Sequence, residues 1–275
     1  MTTPARDDDA TGVALARMTW PEVDRARQVA PLAIVPTGAC EQHGHHMVLE
    51  TDAVRGAEVA RRLAERLAPR AVVTPCLSIG VSGHHMRFPG TLSLSPLTFQ
   101  QVLYEVVESL HAHGWRHVFV LNGHGGNNSA TGVAVSRLQA AYPDLNIAWS
   151  GVTPVVADLG RDLASSEGAA HGSEIETSQA LYVDPGLVRE EQLDVAEPPQ
   201  RYSRLRAPAG VHAPTPFHRI SADGTTGLPS AASREIGEKL VTAVVERLAD
   251  FLSDFLDQSG HESQHESQHE SKENR

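Results

Sequence analysis

Cysteine is nearly absent from this chain: Cys40 and Cys76 are the only two in 275 residues. A secreted domain that relied on disulfides would carry more, so a disulfide scaffold is excluded and a reducing, cytoplasmic setting is expected. Long apolar runs are missing too. No stretch approaches the roughly 18 consecutive apolar residues of a membrane span, and Met1 to Ala10 is polar and acidic, without the apolar centre of a signal peptide. Positive charge is in short supply, since 23 Lys and Arg stand against 34 Asp and Glu for a net charge of -11. Phosphate backbones and anionic lipid need clustered cations, so neither nucleic acid nor membrane is an expected partner.

What is present is an ordinary globular balance, 40% hydrophobic and 21% charged, on a chain long enough for one large α/β domain. Histidine is in excess, with 15. His261, His265 and His269 fall in the terminal repeat HESQHESQHESK. That segment has no apolar residue to bury and reads as a disordered tail over 258–275, either purely solvated or holding metal weakly. Residues 1–16 read as a flexible N-terminus, which leaves 17–257 as a single domain.

Apolar runs bounded by Pro and Gly predict buried strands at Leu32–Val35, Val72–Thr74, Val118–Leu121 and Ile147–Val152. Helical spacing predicts a helix over Asp52–Leu67, stopped by Pro69, and a second from the Ser95-Pro96 cap to His113. Further helices are expected over Asn128–Tyr142, Glu174–Tyr182 and, strongly amphipathic, Ala231–Leu256. Strands alternating with helices imply a mostly parallel α/β sheet covered on both faces. The stretch from Pro154 to Ala170 is polar, and Pro185 to Pro229 reads as an irregular cover over the sheet. Within it, Ala207 to Pro216 reads equally as an ordered loop, at a binding mouth or subunit contact, and as a linker.

In open parallel sheets ligands bind beyond the carboxyl ends of the strands, and two such loops are rich in functional residues. One runs from Pro36 to Asp52 and carries Glu41 and His43; the other is Asn122-Gly-His-Gly-Gly-Asn127. Glu41 and His43 are two apart and project to one side of an extended loop, Asp52 returns at the start of a helix, and His124 adds an imidazole from the neighbouring strand end. Carboxylates and imidazoles in this mixture suit one or two Zn, Mn or Fe ions. The segment His171-Gly-Ser-Glu-Ile-Glu-Thr-Ser178 adds further acids and a base. Taken alone, the glycine-rich loop also fits a phosphate-cradling turn, and Cys40 fits either a thiol nucleophile or a small buried residue.

Five blocks in order resemble the creatininase family of metal-dependent amidohydrolases: Gly38-Ala-Cys-Glu-Gln-His-Gly, Thr51-Asp52, His85-Met-Arg-Phe-Pro-Gly-Thr91, Asn122-Gly-His-Gly-Gly-Asn127 and Glu174-Ile-Glu-Thr-Ser178. The similarity runs from Trp20 to Leu252. It implies a three-layer α/β/α fold, two divalent ions per subunit and a homohexamer. It also implies Glu41, His43, Asp52 and His124 as ligands, with Asp52 bridging, and Glu174 as the fifth because Gly125 and Gly126 stand where creatinine-hydrolysing members have Tyr and a ligand Glu. His171 matches a proton-transfer histidine with Glu176 supporting it, while Ser82, His85 and Gly125 fall on the substrate pocket. The implied chemistry is attack by a metal-bridging hydroxide on a C–N bond, of cyclic-amide or formamide type, in a small polar substrate. Creatinine is not the expected one, because Glu167 replaces a gating Trp and His45, Val48 and His84 replace usual residues. The alternatives are a peptidase of the mycofactocin-maturation type, a hydrolase of a cyclic sugar-derived substrate, and a metal-binding protein without catalysis.

Overall fold

The computed structural model describes residues 13–166, 170–195 and 214–273. Its strands are β1 (Leu32–Thr37), β2 (Ala71–Val73), β3 (His117–Asn122) and β4 (Asn146–Gly151). They form one sheet in the order β2-β1-β3-β4, with every pairing parallel. The helices are α1 (Trp20–Ala26), α2 (Thr51–Arg66), α3 (Pro96–Ala112), α4 (Asn128–Ala141), α5 (Ala157–Leu163), α6 (Glu174–Val183) and α7 (Arg234–Glu273).

Strand alternation splits the interior into two cores, one on each face of the sheet. Leu32, Ile34, Phe119 and Leu121 pack against α2 and α7 through Val59, Leu63, Leu240, Val244 and Leu248. The intervening Ala33, Val35, Val118 and Val120 face Phe99, Leu103 and Val107 of α3 and Ala134 and Leu138 of α4. This is the three-layer α/β/α arrangement. Pro36 fits a central strand because the β1–β2 ladder ends at Ile34↔Val73, so its missing N–H leaves no gap in that ladder. From β1 the chain moves first to β2 on one side, then to β3 on the other. The loops after β1 and β3 therefore open a crevice at their carboxyl ends, the usual ligand position in such sheets.

Several boundaries differ from the sequence reading. Ser95 caps α3 as expected, its side chain accepting from Thr98 N. The short helices α1 and α5 went unread because seven residues hold too little periodicity, although the Thr19–Glu22 capping box marks α1. The ordered fold begins before residue 17, since Val13 is buried and Ala14 bridges Val73. At the other end, the backbone of α7 continues through Glu273, across the segment expected to be a disordered tail. Glu and Gln are good helix formers, and they extend a helix whose apolar side has ended at Leu256. Most of the Ala207–Pro216 segment lies outside the described residues.

The contact of α6 with α7 positions the later site residues, and it is close enough that a Cβ on Gly237 would collide with the main-chain oxygen of Ser178. Gly237→Ala is expected to destabilise the fold by about 1–3 kcal/mol through overpacking. Gly132→Ala, on α4, meets nothing nearer than Trp149 Cζ2 at 3.8 Å and should stabilise by roughly 0.5–1 kcal/mol through helix propensity. Urea unfolding of the pair checks the difference in sign; equal effects would mean that the α6–α7 contact is loose.

Candidate metal centre

The loop after β1 lies directly on the first turn of α2. A Cβ on Gly38 would come within 2.5 Å of Ala53 Cα, so only glycine lets Glu41 and His43 approach Asp52 this closely. Two asparagines tie the neighbouring loops together. Asn122 Oδ1 accepts from the Thr37 hydroxyl at 2.9 Å and from His124 N at 3.1 Å. Asn127 Nδ2 donates to Gly38 O at 3.0 Å while its Oδ1 accepts from Val81 N at 2.8 Å. Both residues lie in the glycine-rich block, yet the sequence reading assigned neither a role.

Asp52 is the centre of the cluster. Its Oδ1 lies 3.4 Å from His43 Nε2, and its Oδ2 lies 3.1 Å from His124 Nδ1. Glu41 Oε1 lies 3.3 Å from His124 Nδ1 and 3.5 Å from His171 Nδ1. Each imidazole is oriented from behind by a main-chain oxygen. His43 Nδ1 is 3.1 Å from Glu41 O, and His124 Nε2 is 3.1 Å from Val81 O. Both contacts require the N–H there, so whenever the ring is neutral its other nitrogen turns a lone pair toward Asp52.

Buried lone pairs that meet no donor are the signature of a cation site. Glu41 Oε1 and Oε2, His43 Nε2 and Asp52 Oδ2 are buried without a hydrogen-bond partner. Such desolvated groups are costly unless a cation neutralises them, and the oxygen and nitrogen donors suit a divalent metal. Candidate ligand sets among the described residues include Glu41, His43 and Asp52 together, and His43, His171 and Glu176 together.

The acids on α6 stand differently from the sequence reading. Glu174 Oε1 accepts from Ser165 N, Ser166 N and the Ser166 hydroxyl at 2.7–3.1 Å, and its Oε2 accepts from Leu228 N at 2.8 Å. Its lone pairs are spent on two loops, and it belongs to none of the candidate ligand sets. Glu176, two residues on and therefore on the opposite side of the first turn, faces the cluster, with Oε2 at 3.8 Å from His43 Nε2. Arg55, which the sequence reading missed, is fully buried and joins the acids. Its Nη2 lies 3.1 Å from Asp52 Oδ1 and 2.7 Å from Glu176 Oε1, and it donates to Gly123 O at 2.7 Å. A charged residue three positions after Asp52, on the buried side of α2, was the available signal.

A cavity of about 510 Å³ opens over this cluster, lined by Glu41, Asp52, Arg55 and His124 on one side and by Val152, Pro154 and Phe217 on another. His85, His171, Glu176 and Gly125 also line it. Ser82 does not line it; its hydroxyl sits behind His124, 3.5 Å from Nε2. Glu167 lies outside the described residues.

The electrostatics follow from burial and crowding. Burial pushes the Glu41 carboxyl up to about 7, with His124 opposing and Asp52 adding to the rise. Burial alone would lower His43, but Asp52, Glu176 and Glu41 outweigh it and raise the imidazole to about 9. His124 is likewise raised to about 9 against its burial, chiefly by Asp52 and Glu41. Although buried, Asp52 is held well below the carboxylate range by His43 and His124. His171 is pushed down to about 3 by burial and by the neighbouring His43.

The family model for creatininase, creatinine amidohydrolase, matches residues 16–252. The chain is 34% identical over 229 residues to the mycofactocin precursor peptide peptidase of Mycolicibacterium smegmatis, covering 81% of this chain and 84% of that protein. It is 32% identical over 256 residues to creatinine amidohydrolase of Pseudomonas putida, covering 86% and 95%. A solved structure of creatininase with Mn superposes with a TM-score of 0.77 at 29% identity, covering 88% of this chain and 98% of that one.

In the metal-free chain the raised His43, His124 and Glu41 make stability fall with rising pH. A histidine raised from 6.5 to about 9 contributes stability that is fully present below 6.5 and is lost as pH rises through about 9. Glu41, raised from 4.5 to about 7, adds a loss in the same direction between those values. Urea unfolding of chelator-treated protein should therefore show a lower midpoint at pH 9 than at pH 6.5, with a smaller drop in Asp52→Asn. A midpoint that rises over that interval would contradict the assignment.

Proposed function

The chain belongs to the creatininase family of hydrolases, and from that premise we propose that it is a metal-dependent enzyme cleaving a C–N bond in a small polar substrate. The observation that carries this reading is the Asp52 carboxylate, whose two oxygens face His43 and His124 separately. In this reading Glu41, His124 and Asp52 would hold one divalent ion, and His43, Glu176 and Asp52 the second. Glu176 thus takes the ligand role that the sequence reading gave to Glu174, and Glu174 clamps the Ser165–Ser166 segment and Leu228 instead. Zn, Mn and Fe all suit this donor set, and Mn is named for a solved creatininase of the same fold. Divalent ions held there supply a water of lowered pKa and polarise a substrate carbonyl.

The chain's own residues do the rest. His171 Nε2 lies 2.7 Å from Gln42 main-chain O, which can only accept, so Nδ1 carries the lone pair on the side that faces Glu41. Neutral at pH 7, Nδ1 takes the proton of the attacking water and then delivers it to the departing nitrogen. Arg55 holds Asp52 and Glu176 in place from behind. Val152, Pro154 and Phe217 form a wall that excludes water from the apolar part of the substrate.

A small cyclic amide or formamide comes first because a cavity of about 510 Å³ is of small-molecule size. The second reading, release of a short peptide, is supported by the relative named for cleavage of a precursor peptide. Turnover of peptides but not of lactams or formamides would reverse this order. The assembly expected for the family is a homohexamer, which sedimentation tests.

Glu176→Gln should reduce the bound metal by about one ion of two per subunit, whereas Glu174→Gln should keep both ions and lower thermal stability. The reverse pattern, read by elemental analysis, would return the ligand role to Glu174. His171→Ala should keep its metal and lose about 100- to 10,000-fold in turnover; unchanged turnover would remove the proton-transfer role.

A further inference from the structure

Gln42 lies between an acid and a base discussed above, in the block Glu41-Gln-His43, yet neither the metal ligands nor the proton transfer has used its side chain. The amide is fully buried among three elements. Gly44 N donates to Oε1 at 2.9 Å, and Nε2 donates to Gly224 O at 3.0 Å. A main-chain N–H can only donate and a main-chain oxygen can only accept, so these two contacts fix which end of the amide is oxygen. The fit is tight, because a Cβ on Gly224 would overlap Gln42 Oε1.

Nε2 has two hydrogens and three neighbours: Gly224 O, His85 Nδ1 at 2.8 Å and His171 Nε2 at 2.9 Å. The count resolves in one way. His171 Nε2 is closer to Gln42 main-chain O, at 2.7 Å, and gives its own hydrogen there. The second amide hydrogen then goes to His85 Nδ1, which must carry a lone pair. His85 is left with its hydrogen on Nε2, pointing to Glu41 Oε1 at 3.5 Å. His171 is left with a lone pair on Nδ1, pointing to the same oxygen at 3.5 Å. The two rings are tilted by 35° to one another, with centroids 4.4 Å apart.

We propose that Gln42 is a positioning residue that sets the hydrogen placement on this imidazole pair, so that His85 presents an N–H and His171 a bare nitrogen to one cavity. The consequence is a division of labour between chemically identical side chains. His85 donates a hydrogen bond to the Glu41 carboxylate or to a substrate oxygen bearing negative charge, and it neither accepts a proton nor ligates a metal through Nε2. His171 alone accepts. The placement rests on the reading that this cavity is the reacting site only for its catalytic meaning; the hydrogen positions themselves do not depend on it.

The test is long-range 1H–15N correlation of 15N-histidine-labelled, zinc-loaded protein near neutral pH, with the two rings assigned through His85→Gln and His171→Gln. Both rings should read as Nε2–H with a pyridine-type Nδ1, bare or zinc-bound. In Gln42→Glu the carboxylate cannot donate to His85 Nδ1, so His85 should switch to Nδ1–H while His171, held by main chain, stays unchanged. A general structural disturbance would move both rings or neither. Finding His85 as Nδ1–H in the wild type overturns the proposal, even if the variant fails to fold, as does a Gln42→Glu protein that folds with His85 unswitched. If the expected spectra appear and no C–N hydrolysis is found, the functional reading fails and the hydrogen placement stands.

Discussion

Everything in this molecule is arranged around one buried carboxylate shared between two imidazoles. Asp52 is 1% exposed, with His43 on one oxygen and His124 on the other. Glu41 and Glu176 crowd the same space, and Arg55 is the one guanidinium among the described residues lining the cavity. Three acids against one permanent cation leave negative charge in a low-dielectric pocket, which is unfavourable by several kcal/mol per unpaired ion unless something positive enters. In the metal-free chain, protons on His43 and His124 serve that purpose, since the acids raise both imidazoles to about 9. A divalent cation does so better, and every main-chain contact behind the imidazoles directs a lone pair toward the place it would occupy.

The scaffold holds this arrangement because none of these side chains sits on a free loop. The switch in strand order between β1 and β3 brings two loop ends to one crevice. Gly38 and Gly123 let those loops touch the first turn of α2, and Asn122 and Asn127 close the remaining gaps with side-chain hydrogen bonds. Helix α6 then enters from the far side, its Ser173 cap setting the phase that turns Glu176 toward Asp52 and Glu174 toward the Ser165–Ser166 segment and Leu228. Preorganisation of this kind keeps the same side chains converging whether protons or a cation offset the acids.

Much of this was legible in the sequence, for definite physical reasons. Apolar runs between Pro and Gly located all four strands to within about two residues, because buried parallel strands are continuously apolar. The loops that carry Glu41, His43 and His124 stood out in the sequence because function collects at the carboxyl ends of such strands. The two acids of α6 were not separable, since which one faces inward depends on helix phase and on which loop needs its oxygens. Arg55 and Gln42 were hidden for a related reason: their roles are fixed by contacts with Glu176, Gln179, His85, His171 and Gly224, far away in sequence. Ser82 was placed in the pocket by the family resemblance, while the 3-10 turn Gly83–His85 carries His85 forward and leaves the serine behind His124.

The central claim is that Asp52 links two cations through its two oxygens, and metal stoichiometry tests it most directly. Protein ending at Gln258, so that His261, His265 and His269 contribute nothing, should bind about two divalent ions per subunit after reconstitution with Zn, Mn or Fe. Asp52→Ala should lose both together while its circular dichroism remains that of a folded α/β protein. Retention of one tightly held ion in the variant would contradict the shared carboxylate, and no bound metal in the wild type would contradict the centre itself.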